Sequence, residues 1–256
     1  MPASAPRVRV HGGSRTLLER LANLPVRIVA EAEAADLAVI AAPAQGAAPE
    51  GRVVDANGKE IANPGWTLGL PRLTPTQPEA IARAARVTVP TAAVTGAVLL
   101  LRPLQEAGIL SPAGVIDITA SGEAAADDTA RAIARHCMLP VAPRLAHSDD
   151  ASEEVTVRVE VAGGDGTAER ARAVLAERYQ HANHIRIGAP GRSEAGAAAD
   201  PDRIGLAVDP GSSPQRLLLS ASLGTDRTNT VIQVLTLMLG LETADEAPLI
   251  EQTDDQ

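Results

Sequence analysis

A glycine pair set between a short apolar run and an amphipathic segment constrains this chain more than any other feature. Behind Gly12-Gly13, residues 14–23 place Leu17, Leu18 and Leu21, with Leu24 just beyond, at helical spacing, and Ser14 is a residue type that caps helix N-termini. Residues 26–30, 37–42 and 52–55 are short β-branched or aliphatic runs ending at Pro, Gly or Asp signals, and they read as buried parallel strands. Strand, glycine turn, helix, strand is the opening of a nucleotide-binding α/β unit.

The next crossover is too short for that unit. Only nine residues lie between Ala42 and Arg52, and they include Pro43, Gly46, Pro49 and Gly51; a helical crossover needs about 10 to 12. The expected fold class is therefore α/β, with a truncated Rossmann-like parallel-sheet domain first. Residues 63–78 are rich in Pro and Gly and predict a surface loop, 78–85 a short helix leading to a strand at 86–89, and 92–107 a long apolar helix closed by Gly108. Further on, 115–119, 156–161, 185–187, 204–208 and 217–221 read as strands and 139–145 as extended chain. Residues 124–136 and 167–179 read as helices, the second with Ala171, Val174, Leu175 and Arg178 on one face. The last helix, 228–239, stops at Gly240. Residues 193–200 predict a flexible loop. The expected division is 1–90 as the first domain, joined by the terminal helix at 227–241, then 91–226 as an α+β domain and 242–256 as an acidic solvated tail.

Composition excludes several classes. The net charge is −9 and Lys59 is the only lysine among 23 basic residues, so the phosphate attraction that drives nucleic-acid binding is missing. Nucleic acid and anionic membrane surfaces are not expected partners. Apolar stretches such as residues 97–101 fall far short of the ~20 residues of a spanning helix, and the first ten lack the apolar run of a signal peptide; a cytoplasmic protein is expected. The single Cys137 permits neither an internal disulfide nor a thiolate metal cluster. With no Phe, one Trp and one Tyr, the core must be assembled from many small aliphatic contacts.

Three stretches point to a family. Val53-Val54-Asp55-Ala56, Pro64-Gly65-Trp66-Thr67-Leu68-Gly69-Leu70-Pro71-Arg72-Leu73 and Arg102-Pro103-Leu104-Gln105-Glu106-Ala107-Gly108-Ile109-Leu110 resemble N-acetyl-gamma-glutamyl-phosphate reductase, most closely its shorter type. The run from Val231 to Leu241 looks like that family's closing helix, and Glu177-Arg178-Tyr179 with Ile185-Arg186-Ile187 like its second domain. Order and spacing agree over nearly the whole chain. The resemblance implies an α+β second domain of the semialdehyde-dehydrogenase type that carries oligomerisation. It also implies acyl-phosphate reduction in arginine biosynthesis: a Cys thiolate displaces phosphate to give a thioester, NADPH delivers hydride, and a His acts as acid and base.

At the chemical positions the chain departs from that pattern. The family's Asn-Pro-Gly-Cys-Tyr-Pro-Thr-Gly aligns without a gap on Val89-Pro90-Thr91-Ala92-Ala93-Val94-Thr95-Gly96, so the nucleophile position is Ala92 and no catalytic residue is assigned. Only a thiolate both attacks an acyl phosphate and departs after reduction. The Gly-x-x-Gly-x-x-Gly loop is reduced to Gly12, Gly13 and Ser14, and the Ser-Gly-x-Ser-Gly-Gly-Gly stretch to Ser121 and Gly122, with Asp127 and Asp128 close behind. These five residues are the weak candidates for cofactor binding. No His-x-x-Pro-Glu lies between Glu123 and Arg135, and the family's Asp-Asn-Leu-Gly-Lys-Gly-Ala turn is Ala221-Ser222-Leu223-Gly224-Thr225-Asp226-Arg227. The expectation is a catalytically degenerate relative with a structural, regulatory or binding role and no cofactor, or NADP if any. Its expected partners are copies of itself or a related active reductase. The alternative is an active NADP-linked reductase with an unrecognised nucleophile.

Other candidates have plainer readings. Cys137 beside His136 reads as a buried structural thiol, with a relocated nucleophile as the sharper alternative; adjacent residues point apart. His147 with Asp149 and Asp150 reads as solvated loop charge rather than a metal site. His181 and His184 read as helix C-terminal charges, and Trp66 as packing its loop on the core. Asp127 and Asp128 suit a helix start whatever the function, and Ser121 lacks the context of a hydrolase nucleophile.

Overall fold

A computed structural model describes residues 4–42, 49–111, 114–121, 127–148, 154–162, 168–182, 184–188, 203–211 and 216–241. Within them the chain forms two six-stranded sheets. The first comprises β1 (Arg7–His11), β2 (Arg27–Val29), β3 (Leu37–Ile40), β4 (Val53–Asp55), β5 (Thr67–Leu68) and β6 (Arg86–Thr88). Their order is β2-β1-β3-β4-β6-β5 and every pair is parallel. Helix α1 (Arg15–Ala22) starts where the sequence places it, because Ser14 Oγ accepts from the Leu17 amide at 3.1 Å.

The chain's last helix, Thr228–Leu239, returns to this first sheet. Its Val231, Val234 and Leu235 share one core with Val8, Leu21, Val39, Val54, Ile81 and Val87. Arg52, at the entry to β4, fixes the arrangement. Its guanidinium donates to the Met238 carbonyl near the end of that helix and, at 2.7 Å, to the Ala82 carbonyl near the end of α2 (Gln77–Arg83). A cation at two helix C-termini meets both dipoles and their unsatisfied carbonyls.

The second sheet contains β7 (Ile116–Ser121), β8 (Arg144–Ser148), β9 (Glu154–Ala162), β10 (Ile185–Ile187), β11 (Ile204–Pro210) and β12 (Arg216–Gly224), in the order β10-β11-β12-β9-β7-β8. The β10–β11 and β7–β8 pairs are parallel and the rest antiparallel. Period-two alternation decides its faces. Val155, Val157, Val159 and Val161 are buried with Leu217, Leu219, Ala221 and Leu223, while Arg158 is exposed and Thr156, Glu160 and Ser220 are only partly covered.

The buried face of the second sheet receives α3 (Ala92–Glu106) and α5 (Ala168–Tyr179), with α4 (Asp127–His136) alongside α3. Helix α3 follows directly from β6 and is buried from Ala92 to Leu104 almost without interruption, as its near-uniform apolar sequence requires. It approaches the sheet closely at Gly96, where a Cβ would stand 2.9 Å from Leu223 Cδ1 and 3.0 Å from Val157 Cγ2. Pro103 lies inside the helix and has no N–H for the carbonyl of Leu99. The phenol of Tyr179 on α5 supplies the missing donor, at 2.8 Å, in a fully buried bond. Glu106 forms a second tie, accepting from Arg102 on α3 and from Arg178 on α5.

The structure corrects several sequence expectations. Residues 26–30 form an edge strand rather than a buried one: β2 has a single neighbour, and Ile28 is 42% exposed. Residues 63–78 are not a surface loop throughout. Trp66, Leu68, Leu70 and Leu73 are buried and β5 pairs with β6, because Pro and Gly punctuate a segment without deciding where its apolar residues go. Within 139–145 the strand begins only at Arg144. The buried face of α5 carries Ala171, Leu175 and Tyr179, and Arg178 turns to Glu106 instead. Residues 193–200 and 242–256 lie outside the described residues, as do 43–48 of the short crossover. No described helix is long and apolar enough to cross a membrane.

Two predictions follow from the ties to α3. Tyr179→Phe keeps the ring but strands a buried carbonyl, at an expected cost of about 1–3 kcal/mol. In a Pro103→Ala background Leu99 regains an intrahelical donor, so the same substitution should cost much less. Urea melts of the four proteins measure the coupling, and an equal loss in both backgrounds refutes it. Burial opposes the charge of Glu106, but the guanidiniums of Arg102 and Arg178 overcome it and hold the carboxyl below its ordinary value of 4.5. The stabilisation is then complete above pH 4.5 and fades below it. Glu106→Gln should therefore lower the melting temperature at neutral pH, with the gap to wild type closing on acidification.

Candidate functional site

Parallel sheets bind ligands beyond the carboxyl ends of their strands, at the point where strand order reverses. Here β1 lies between β2 and β3, so the switch point falls between Gly12-Gly13 and the residues that follow β3. Both glycines have positive φ, +74° and +120°. The Ala41 and Ala42 amides donate to the His11 carbonyl at 2.9 and 3.1 Å, drawing the end of β3 onto β1. A Cβ on Gly12 would stand 2.2 Å from Ala42 Cβ. Gly12 is thus demanded by backbone conformation and by Ala42, while Ser14 spends its hydroxyl on the helix cap.

The ground beyond β2 carries charges of both signs. His11 Nδ1 lies 3.9 Å from Glu31 Oε1, and Glu33 accepts from the Ala30 amide and from Arg27, both at 3.2 Å. A dinucleotide with a 2′-phosphate needs a guanidinium in that region, whereas a carboxylate suits an unmodified ribose hydroxyl. Guanidiniums stand there as well as carboxylates: Arg27 pairs with Glu33, and Arg9 donates to the Glu33 carbonyl.

Next to the switch point a buried carboxylate stiffens the edge. Asp55, 2% exposed, accepts from the Asn57 amide through Oδ1 and from the Glu60 amide and Thr88 hydroxyl through Oδ2, all at 2.9 Å. Asn57 in turn donates to the Ile40 carbonyl at 3.1 Å, so the ends of β3, β4 and β6 are joined. The turn continues to Gly58, φ +71°, which packs against the Val89 carbonyl and Thr91. Thr91 caps α3, its Oγ1 accepting from the Val94 amide at 3.4 Å.

Ala92 is therefore the first residue of a capped helix, seated at the strand edge and 3% exposed. A helix N-terminus lowers the pKa of a thiol placed there. A methyl group takes no advantage of it. Cys137 is fully buried at the end of α4, and burial pushes its thiol far above the ordinary range despite the nearby Arg102. Ten residues of α3, about 15 Å of helix, separate Arg102 from Ala92. His136 points away from its neighbour and donates through Nε2 to the Ile61 carbonyl at 3.3 Å. Burial lowers its pKa, and Arg135 and Arg102 add to the effect.

The remaining predicted residues are dispersed. Ser121 ends β7, buried, its Oγ accepting from the Thr156 amide at 2.9 Å; Gly122 lies outside the described residues. Asp127 opens α4, and Asp128 pairs with Arg131. His184 Nδ1 accepts from Arg72 at 2.7 Å. No group of three or more metal-binding side chains occurs among the described residues, and Asp149 and Asp150 fall outside them. Trp66 is buried as expected, with the Arg86 guanidinium 5.8 Å from its ring centroid. Sequence reasoning passed over Asp55 as a site residue, although a carboxylate closing an apolar strand is a visible signal.

Gly12→Ala tests the account of the glycine turn. It combines a strained φ with a contact on Ala42, and should cost at least about 2 kcal/mol in a denaturant melt. Gly13→Ala meets only ordinary contacts and carries the φ penalty alone, so it should cost less. The reverse ranking would refute the close approach.

No protein-family model matches the chain. It is 28% identical over 275 residues to N-acetyl-gamma-glutamyl-phosphate reductase 2 of Pseudomonas putida, covering 88% of each chain. It is 29% identical over 268 residues to the N-acetyl-gamma-glutamyl-phosphate reductase of Burkholderia lata, covering 84% of each. Among solved structures it resembles aspartate semialdehyde dehydrogenase II of Vibrio cholerae complexed with ASA. That match has a TM-score of 0.66 at 13% identity and covers 92% of this chain and 99% of the other. A probable aspartate-semialdehyde dehydrogenase of Pseudomonas aeruginosa matches with a TM-score of 0.60 at 13% identity, covering 91% and 97%. The fold is thus the α/β fold of these dehydrogenases, and over most of its length the chain is similar in sequence to N-acetyl-gamma-glutamyl-phosphate reductases.

Proposed function

We propose that this chain is a catalytically degenerate relative of N-acetyl-gamma-glutamyl-phosphate reductase, acting in the cytoplasm in a structural, regulatory or binding role connected with arginine biosynthesis. The observation that carries this reading is Ala92. It occupies the capped start of α3 at the strand edge, where the resemblance puts the thiol that would hold the acyl group. The only thiol of the chain is buried and protonated near the other end of α3. The Ala42 contact at Gly12 argues in the same direction, since it accounts for that glycine without a pyrophosphate.

The framework around the missing chemistry is intact, which favours a role that uses shape. The face of the second sheet opposite α3 and α5 carries Arg158, Glu160, Thr156 and Ser220, polar and small groups suited to a partner surface. Its occupant in this proposal is another copy of the chain or a related, Cys-bearing reductase. The second reading, an active NADP-dependent reductase of N-acetylglutamyl phosphate or a similar acyl phosphate, is favoured by the 84–88% coverage shared with proteins of that name.

Assay of the purified chain with the semialdehyde, NADP and phosphate separates the two. The expected rate equals that of a heat-inactivated sample, and calorimetric titration with NADPH should show no saturable binding tighter than about 1 mM. Phosphate-dependent NADP reduction above the inactivated control would reverse the order of the readings.

A further inference from the structure

A cavity of about 470 Å³ opens between the later turns of α3, the end of α4 and residues 64–77, which include β5. Arg102, Arg135 and His136 line it together with Thr67, Thr76 and the indole of Trp66, and no Asp or Glu is among its lining residues. That is unexpected in a chain with 32 acidic and 23 basic residues. Its volume falls in the range of about 300–1,000 Å³ occupied by small-molecule sites.

The cations are held in place before any ligand arrives. Arg102 donates to Glu106 and, at 2.8 Å, to the His136 carbonyl; Arg135 donates to the Asn63 and Pro64 carbonyls at 2.7 and 3.1 Å. Each guanidinium carries five N–H donors, so three remain on each after these bonds. The carboxylates nearby are already engaged, Glu106 with Arg102 and Arg178, and Glu60 with Asn63 at 2.8 Å. Two guanidiniums thus line the cavity, and no carboxylate does. Fixed forks of this kind bind planar carboxylates and phosphates with two parallel bonds and little loss of side-chain freedom.

We propose that this cavity is a binding site for a small organic anion, gripped through a carboxylate or phosphate group by Arg102 and Arg135. The site lies about 15 Å along α3 from Ala92, so it operates whether or not the strand edge performs chemistry. Since residues 64–77 belong to the segment that forms β5 and enters α2, an anion bound there bears on the junction between the first sheet and the α3–α4 pair.

The chain's single tryptophan lines the cavity and provides the readout. Trp66 emission is followed during titration with inorganic phosphate and, separately, with succinate, each against chloride at matched ionic strength. A saturable change with phosphate, succinate or both is expected, and which of them acts identifies the group recognised. Arg135→Gln and Arg102→Gln should each weaken it by about tenfold or more. Arg15→Gln, on the exposed surface of α1, should leave it unchanged. Circular dichroism confirms that each variant is folded; Arg135 is exposed and loses only loop contacts. Responses that match chloride in both arms, or wild-type affinity in both cavity variants, would overturn the proposal.

Discussion

Helix α3 is sealed between the second sheet, α4 and α5, so it has no water with which to repair a defect in its own hydrogen bonding. Pro103 makes such a defect at the Leu99 carbonyl, and a buried carbonyl without a donor costs as much as a lost hydrogen bond. Tyr179, the only tyrosine, fills it from α5. Much else follows from that bond. It sets the rotation of α5 against α3, brings Arg178 within reach of Glu106, and leaves Gly96 facing Leu223 and Val157, where only a residue without a side chain fits at this spacing. A chain without phenylalanine packs by close approach of small groups, and such packing tolerates little displacement.

The same helix ties the second core to the edge of the first sheet. Its N-terminus is held by Thr91, by Gly58 and, behind them, by the carboxylate of Asp55 with three donors. None of these groups has to react. They hold the capped start of α3 at the strand edge whichever residue stands at position 92, because the scaffold answers to burial and hydrogen bonding. The glycine turn obeys the same logic. Gly12 is required by Ala42 and by φ, so its presence is no measure of pyrophosphate binding.

Much of this was legible in the sequence. The Ser14 cap, the strands at 37–42 and 52–55, the apolar helix at 92–107 and the terminal helix stopped by Gly240 all follow from period and punctuation. What escaped were features that depend on partners distant along the chain. The burial of Trp66, Leu70 and Leu73 depends on α3 and β6 offering a surface, and no local signal carries that information. The pairing of Arg72 with His184 spans 112 residues, and the Arg135 bonds to Asn63 and Pro64 span 72 and 71. Tyr179 illustrates the boundary. Its place in a helix was readable from spacing, but its purpose appears only when Pro103 is found to have silenced a donor on another helix.

Those distant pairings also account for the uneven distribution of charge. A chain of net charge −9 repels small anions on average, so arginines that line a cavity must be held against the tendency of each to reach the nearest carboxylate. Arg135 is held by two backbone carbonyls, which fix its guanidinium without neutralising it. Arg102 is held by Glu106, but that carboxylate is shared with Arg178, and the trio keeps a positive excess. Neutral acceptors and a divided carboxylate leave charge in reserve, whereas one-to-one ion pairs would have extinguished it. The bonds that join α3 to α4, and α4 to Asn63 and Pro64, are thus the bonds that leave the cavity between α3, α4 and residues 64–77 positive.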